Sequence, residues 1–259
     1  MKPTVAKTNY LNIHAKYGRK NWKPKLELPP VEVHLKRKVL RCDLVGGFKA
    51  LAAEKFIASI KNDVLVYCAP RTGHAALAIA KLAKLYGKKA VFFAPSSKQC
   101  TNDQACVLNF GADLRFLRIA AMPNLNLYAR KWAEREDAIF LPFGLANTPE
   151  ITAGIVELCS RLTPVYGSPK EVWCATSTGT MIRGLEIGLP KAKQRTVAVA
   201  RNIHPGEVGN VDIVSAQVPF LTKSKIQPPF PTTACYDAKA WERCLVEGQT
   251  SSWFINLGS

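Results

Sequence analysis

Lys49 follows two glycines in the run Val45-Gly46-Gly47-Phe48-Lys49-Ala50. Glycine admits the positive φ of a tight turn and lets a backbone come close to a ligand. The next residues, Ala50-Leu51-Ala52-Ala53-Glu54-Lys55-Phe56-Ile57, read as a helix, which places the lysine at a helix start. Burial there lowers the pKa of an ammonium, and the neutral amine is the form that attacks an aldehyde. The same residues also fit a plain glycine turn with a solvated lysine.

Two further loops carry chemistry. Thr176-Ser177-Thr178-Gly179-Thr180 joins the apolar run Val172-Trp173-Cys174-Ala175 to a helical segment at 182–188. Its hydroxyls and the N–H groups of a helix start form an anion site suited to a phosphate. It lacks the lysine and spacing of a nucleoside-triphosphate loop. A hydroxyl-capped helix is the plainer alternative. Arg71-Thr72-Gly73-His74 opens another helix. Its backbone N–H groups could hold a carboxylate, with His74 facing a ring or a phenolic oxygen; a simple cap is again the alternative.

The elements that must position these loops follow a strand–helix grammar. An alternating strand at 31–35 and the run 39–44 precede the glycine–lysine turn. Strands are expected at 64–68, 90–94, 113–119, 138–141, 172–175, 197–200 and 253–255. Helices are expected at 50–57, 75–86, 104–110, 152–162, 182–188 and 237–246. Alternation of this kind implies parallel sheets with right-handed crossovers, with ligands beyond the carboxyl ends of the strands. Residues 219–232, with prolines at 219, 228, 229 and 231, read as loop.

The 259 residues, 47% hydrophobic, suffice for one large α/β domain or two lobes around a cleft. No apolar run is long enough to span a membrane, and Met1–Lys7 lacks the apolar stretch of a signal peptide, so a cytoplasmic location is expected. Eight scattered cysteines without a C-x-x-C pair disfavour zinc and a disulfide framework; no metal is expected. The charge is strongly positive, 36 Lys and Arg against 19 Asp and Glu. Residues 1–26 contain Lys2, Lys7, Lys16, Arg19, Lys20, Lys23 and Lys25 with no acid, interleaved with Tyr10, Tyr17 and Trp22. Cations among aromatic faces suit phosphate contact and base stacking. The cluster Lys36-Arg37-Lys38 and the lysines at 81, 84, 88 and 89 extend this candidate nucleic-acid surface.

Taken together, the segments resemble the fold-type-II pyridoxal-phosphate enzymes, the tryptophan-synthase-β-like group. The nearest branch is that of aminocyclopropane-carboxylate deaminase and D-cysteine desulfhydrase. Gly46-Gly47-Phe48-Lys49-Ala50 resembles that branch's G-G-N-K-A turn, which makes Lys49 the Schiff-base lysine. Thr72-Gly73-His74 stands where the family has S-G-N or Q-S-N, so Arg71, Thr72 and Gly73 are assigned to substrate and His74 to cofactor and catalysis. Phe110-Gly111-Ala112-Asp113 resembles the step L-G-A-E/D. Ser177-Thr178-Gly179-Thr180-Met181 resembles the G-S-G-G-T phosphate cup, and Gly184 to Leu189 the helix behind it. Tyr236-Asp237-Ala238-Lys239-Ala240 resembles Y-T-G-K-A and makes Tyr236 a second acid or base. Phe254 to Ser259 resembles F-x-H-T-G-G. Leu257 replaces the threonine expected at the pyridine nitrogen, so that contact passes to Ser259, to water or to nothing.

The resemblance implies a two-lobed α/β fold with mainly parallel sheets, pyridoxal 5′-phosphate in the cleft, and a homodimer. The expected lobes are 28–60 with 150–259, and 61–149, preceded by a basic arm at 1–27. The basicity adds a likeness to the pyridoxal-phosphate enzymes of bacteriophage DNA hypermodification. The implied activity is a lyase acting on an aminoacyl adduct of thymine in DNA, for instance by decarboxylation in an infected bacterium. The alternatives are a lyase of free amino acids and a non-catalytic DNA-binding relative.

Overall fold

The computed structural model describes residues 22–71, 73–96, 100–119, 121–146, 148–204 and 206–258. Two sheets carry the fold. The larger is built from β1 (Val31–His34), β2 (Arg37–Arg41), β7 (Glu171–Thr176), β8 (Lys193–Ala198), β9 (Asp212–Ser215) and β10 (Trp253–Asn256), in the order β1-β2-β10-β7-β8-β9. The smaller holds β3 (Val64–Cys68), β4 (Lys89–Pro95), β5 (Asp113–Leu117) and β6 (Ile139–Phe140), in the order β5-β4-β3-β6. Every pairing is parallel except the β1–β2 hairpin. β7 is buried along its whole length, as the apolar run at 172–175 requires of a central parallel strand.

The helices are α1 (Phe48–Ser59), α2 (His74–Leu85), α3 (Asn102–Asn109), α4 (Met122–Arg135), α5 (Pro149–Tyr166), α6 (Thr180–Gly188) and α7 (Asp237–Glu247). α5 packs on both α1 and α6, and α1 also packs on α2. α1 and α5 touch at Gly154, where a Cβ would stand 1.8 Å from the Ala52 carbonyl oxygen. One continuous core runs from Leu65, Tyr67 and Phe92 to Trp173, Trp241 and Trp253. A satellite cluster seals α4 on the outer face of the small sheet through Leu125, Ala129 and Ala133.

The chain ahead of β1 is fastened to the body. Buried Glu54 on α1 accepts from the backbone N–H groups of Lys25 (2.6 Å) and Leu26 (3.0 Å) and from the Tyr86 hydroxyl (2.9 Å). Among the described residues no helix is long and apolar enough to cross a membrane, and no cluster of three His, Cys, Asp or Glu could hold a metal ion.

Candidate active site

The glycine–lysine turn adopts the backbone its sequence demands. Gly46 and Gly47 have φ of +98° and +91°. The Gly47 N–H donates to Cys42 O (2.7 Å) and the Phe48 N–H to Leu257 O (3.0 Å), which ties the start of α1 to the end of β10. A side chain at Gly47 would meet that Leu257 oxygen at 3.0 Å. Lys49 therefore leaves the first turn of α1 into a cleft of about 520 Å³, within the range of small-molecule sites. Its Nζ donates to Gly144 O at 3.2 Å, and burial brings its pKa down to about 8.

The other walls come from the carboxyl ends of parallel strands, where open α/β sheets bind ligands. After β7, Thr176, Ser177, Thr178, Thr180 and Met181 line the cleft. Gly179 does not line it but caps α6, with φ +79° and no side-chain cap bond, leaving N–H groups of the helix start free for an anion. A Cβ there would meet Val208 Cγ1 at 2.6 Å. The Thr178 and Thr180 hydroxyls are 3.1 Å apart. Gly144, after β6, has φ +64° and separates this turn from the lysine: a Cβ on it would lie 3.0 Å from Thr178 Cγ2 and 3.9 Å from Lys49 Nζ. The Gly144 N–H donates to the Tyr67 hydroxyl (3.0 Å), whose pKa burial raises.

His74 starts α2 after β3 and lines the cleft opposite Tyr236, their rings edge to face at 6.0 Å. Burial lowers the His74 pKa to about 4, so the imidazole is neutral near pH 7. Tyr236 is pushed the other way by burial and stays protonated. Leu257 contributes an apolar contact from the end of β10. Beside it lies Asp237, fully buried, its pKa raised well above the carboxylate range by desolvation. The N–H groups of Gly258 and Leu257 offset this in part, yet neither carboxyl oxygen closes a hydrogen bond of ordinary geometry.

Several expected site residues stand elsewhere. Arg71 is exposed and does not line the cleft; its carbonyl accepts from the Thr101 hydroxyl (2.7 Å). Gly73 lines the cleft, but its N–H, expected to meet a substrate carboxylate, already donates to Asp103 Oδ2 at 2.9 Å. Thr72, Ser259, Lys16, Arg19 and Lys20 lie outside the described residues. Of the basic surface, Lys23 and Lys36 are exposed. Arg37 is instead committed to the carbonyls of Leu35, Cys244, Leu245 and Gly248, and Lys38 to that of Tyr166. Lys25 donates to Leu85 O and sits over the Tyr86 ring. Lys88 is held by the carbonyls of Ile60 and Asn62. Charges bound this way hold the fold and leave fewer cations for a polyanion.

The order of elements and the two sheets match solved structures. A crystal structure described as an ACC deaminase homologue superposes with a TM-score of 0.75 at 17% identity, covering 96% of this chain and 94% of that one. This is the tryptophan-synthase-β-like fold. Threonine deaminase isoform 2 from Solanum lycopersicum, in its processed form, follows at a TM-score of 0.71 and 12% identity, covering 98% and 85% of the two chains. A pyridoxal 5′-phosphate-dependent aspartate racemase gives 0.66 at 13%, covering 98% and 94%. No protein-family model and no curated protein matches the sequence.

Sequence reasoning did not single out Tyr67, Asp103, Gly144, Thr233 or Asp237 as site residues. The turn residues Pro142-Phe143-Gly144 are the local signal that could have pointed to one of them, Gly144.

Proposed function

We propose that the cleft holds pyridoxal 5′-phosphate and that the chain is an enzyme of the lyase kind, acting at the carbon that bears an amino group. The observation that carries this reading is a buried amine, Lys49, set across Gly144 from a hydroxyl-lined helix start. The N–H groups and hydroxyls of 176–180 would hold the phosphate. Asp237, buried beside Leu257 with its carboxyl only partly satisfied by the Gly258 and Leu257 N–H groups, would be the acid to pair with a ring nitrogen. Neutral His74 suits a phenolic oxygen. The fold shared with the aspartate racemase described as dependent on this cofactor supports the assignment.

When bound, the cofactor supplies an electron sink that stabilises negative charge at the carbon next to the amine. The chain does the rest. With a pKa of about 8, Lys49 exists in both protonation states near neutral pH and is able to take a proton from that carbon and return it. Tyr236, protonated and 6.0 Å in ring centre from His74, is placed as a second proton donor. The apolar walls, Phe143, Phe220, Leu257 and Met181, keep water from the reacting carbon. Mixing the protein with pyridoxal phosphate tests this: a visible absorbance band and a raised melting temperature are expected. Both are lost in Lys49→Ala, and a variant that keeps both defeats the proposal.

The charge favours one finer reading of the substrate, an aminoacyl adduct on a thymine base of DNA. Net +17 and an acid-free stretch of 26 residues, fastened at its end to Glu54, support it. DNA binding that weakens steeply with salt and is lost on deleting residues 1–21 is the expected result. No binding at low salt would rule it out.

A further inference from the structure

Two helix starts face the cleft, and they differ. Both open on a glycine cap that has no side-chain cap bond of its own. At the start of α2 the Gly73 N–H is already taken from within the chain, donating to Asp103 Oδ2 at 2.9 Å. Asp103 itself lines the cleft, close enough to His74 to act on its charge.

The carboxylate is held in place by its own helix. Thr101 caps α3 in a reciprocal capping box: the Gln104 N–H donates to Thr101 Oγ1 (3.3 Å), and the Thr101 N–H donates to Gln104 Oε1 (2.9 Å). Gln104 is buried, and the Thr101 hydroxyl also donates to Arg71 O at 2.7 Å. Two hydrogen bonds thus staple the start of α3 to the loop that enters α2. A substrate carboxylate arriving there would compete for an occupied donor and meet a like charge. No free cation among the described cleft residues offsets it. Arg201 is paired with Glu207, and Lys49 is the reacting amine.

We infer that Asp103 is a specificity-determining residue that closes the Gly73 helix start to carboxylates. The cleft then selects amino compounds without a free α-carboxylate: amines, amides, or aminoacyl groups joined through their carboxyl to something larger. This rests on reading the cleft as a pyridoxal-phosphate site, and it disfavours decarboxylation, which needs the carboxylate inside.

The test loads wild type, Asp103→Asn and Asp103→Ala with pyridoxal phosphate, scores loading by the visible band, and titrates each with D- and L-alanine and the matching alaninamides. Asn keeps an acceptor for the Gly73 N–H and removes only the charge. In the loaded wild type alaninamide binds ~10-fold or more tightly than alanine, and in Asp103→Asn alanine gains by about that factor while alaninamide is unchanged. Equal affinities in wild type, or equal changes for both ligands in the variants, overturn the inference while leaving the cofactor reading intact. A wild type that loads no cofactor overturns both.

Discussion

Thr233 Oγ1 lies 3.1 Å from His74 Nε2, so the proline-rich segment grips a cleft imidazole 159 positions away in sequence. The grip is braced from behind. Asn256 Nδ2 donates to Asp43 Oδ1 (2.8 Å) and Pro231 O (2.9 Å), and the Thr232 hydroxyl donates to Asn256 Oδ1 (2.9 Å). Asp43 in turn accepts from Arg41 Nε (3.0 Å) and Nη2 (2.7 Å). A buried polar network of this kind, with its members satisfied, fixes one arrangement of the loop it holds.

The acid side of the stability profile should report His74. Its folded pKa is about 4 against 6.5 for the free side chain. Between those values the unfolded chain takes up a proton that the native state refuses, so stability falls as the pH drops from 6.5 through 4. The full effect is at most about 3 kcal/mol. His74→Asn should flatten the curve of denaturation midpoint against pH across that window. An unchanged slope would show that the imidazole does not titrate as its burial requires.

Lys239 is nearly buried and donates to three successive carbonyls, Val218 (3.3 Å), Pro219 (2.6 Å) and Phe220 (2.9 Å). Phe220 lines the cleft against Tyr236. Lys239→Met strands those carbonyls and should cost about 2–3 kcal/mol in urea unfolding. Proteolysis within 217–227 should speed up as well. A variant as stable and as resistant as wild type would deny Lys239 this role.

The contact of α1 with α5 leaves no room at Gly154, because the obstructing atom, Ala52 O, belongs to the backbone. Gly154→Ala should lose about 1–3 kcal/mol. Since α1 carries Lys49, pyridoxal phosphate uptake should weaken too. Unfolding curves and a cofactor titration measure the two effects; a variant indistinguishable from wild type in both would contradict the crossing described above.

What the sequence made legible was local. Gly46-Gly47 and the helix after Lys49 could be read because glycine geometry and helical periodicity act within a few residues. The two cleft loops at 71–74 and 176–180 were visible for the same reason. α4 was not expected: Pro123, Asn124 and Asn126 open it, and it buries only the narrow stripe Leu125, Ala129 and Ala133. β9 was missed because it is a short, half-exposed edge strand. Arg37 and Lys38 looked like free cations, since carbonyls up to 211 positions distant leave no mark in composition. Asp103 and Thr233 escaped notice for that reason as well: their partners come from across the fold.

The Glu54 clamp has a consequence for the lead into the large sheet. With the backbone N–H groups of Lys25 and Leu26 both held, the chain approaches β1 along one path beside Tyr86. One buried carboxylate thus ties that approach to the helix that carries Lys49 and to the end of the helix that His74 opens.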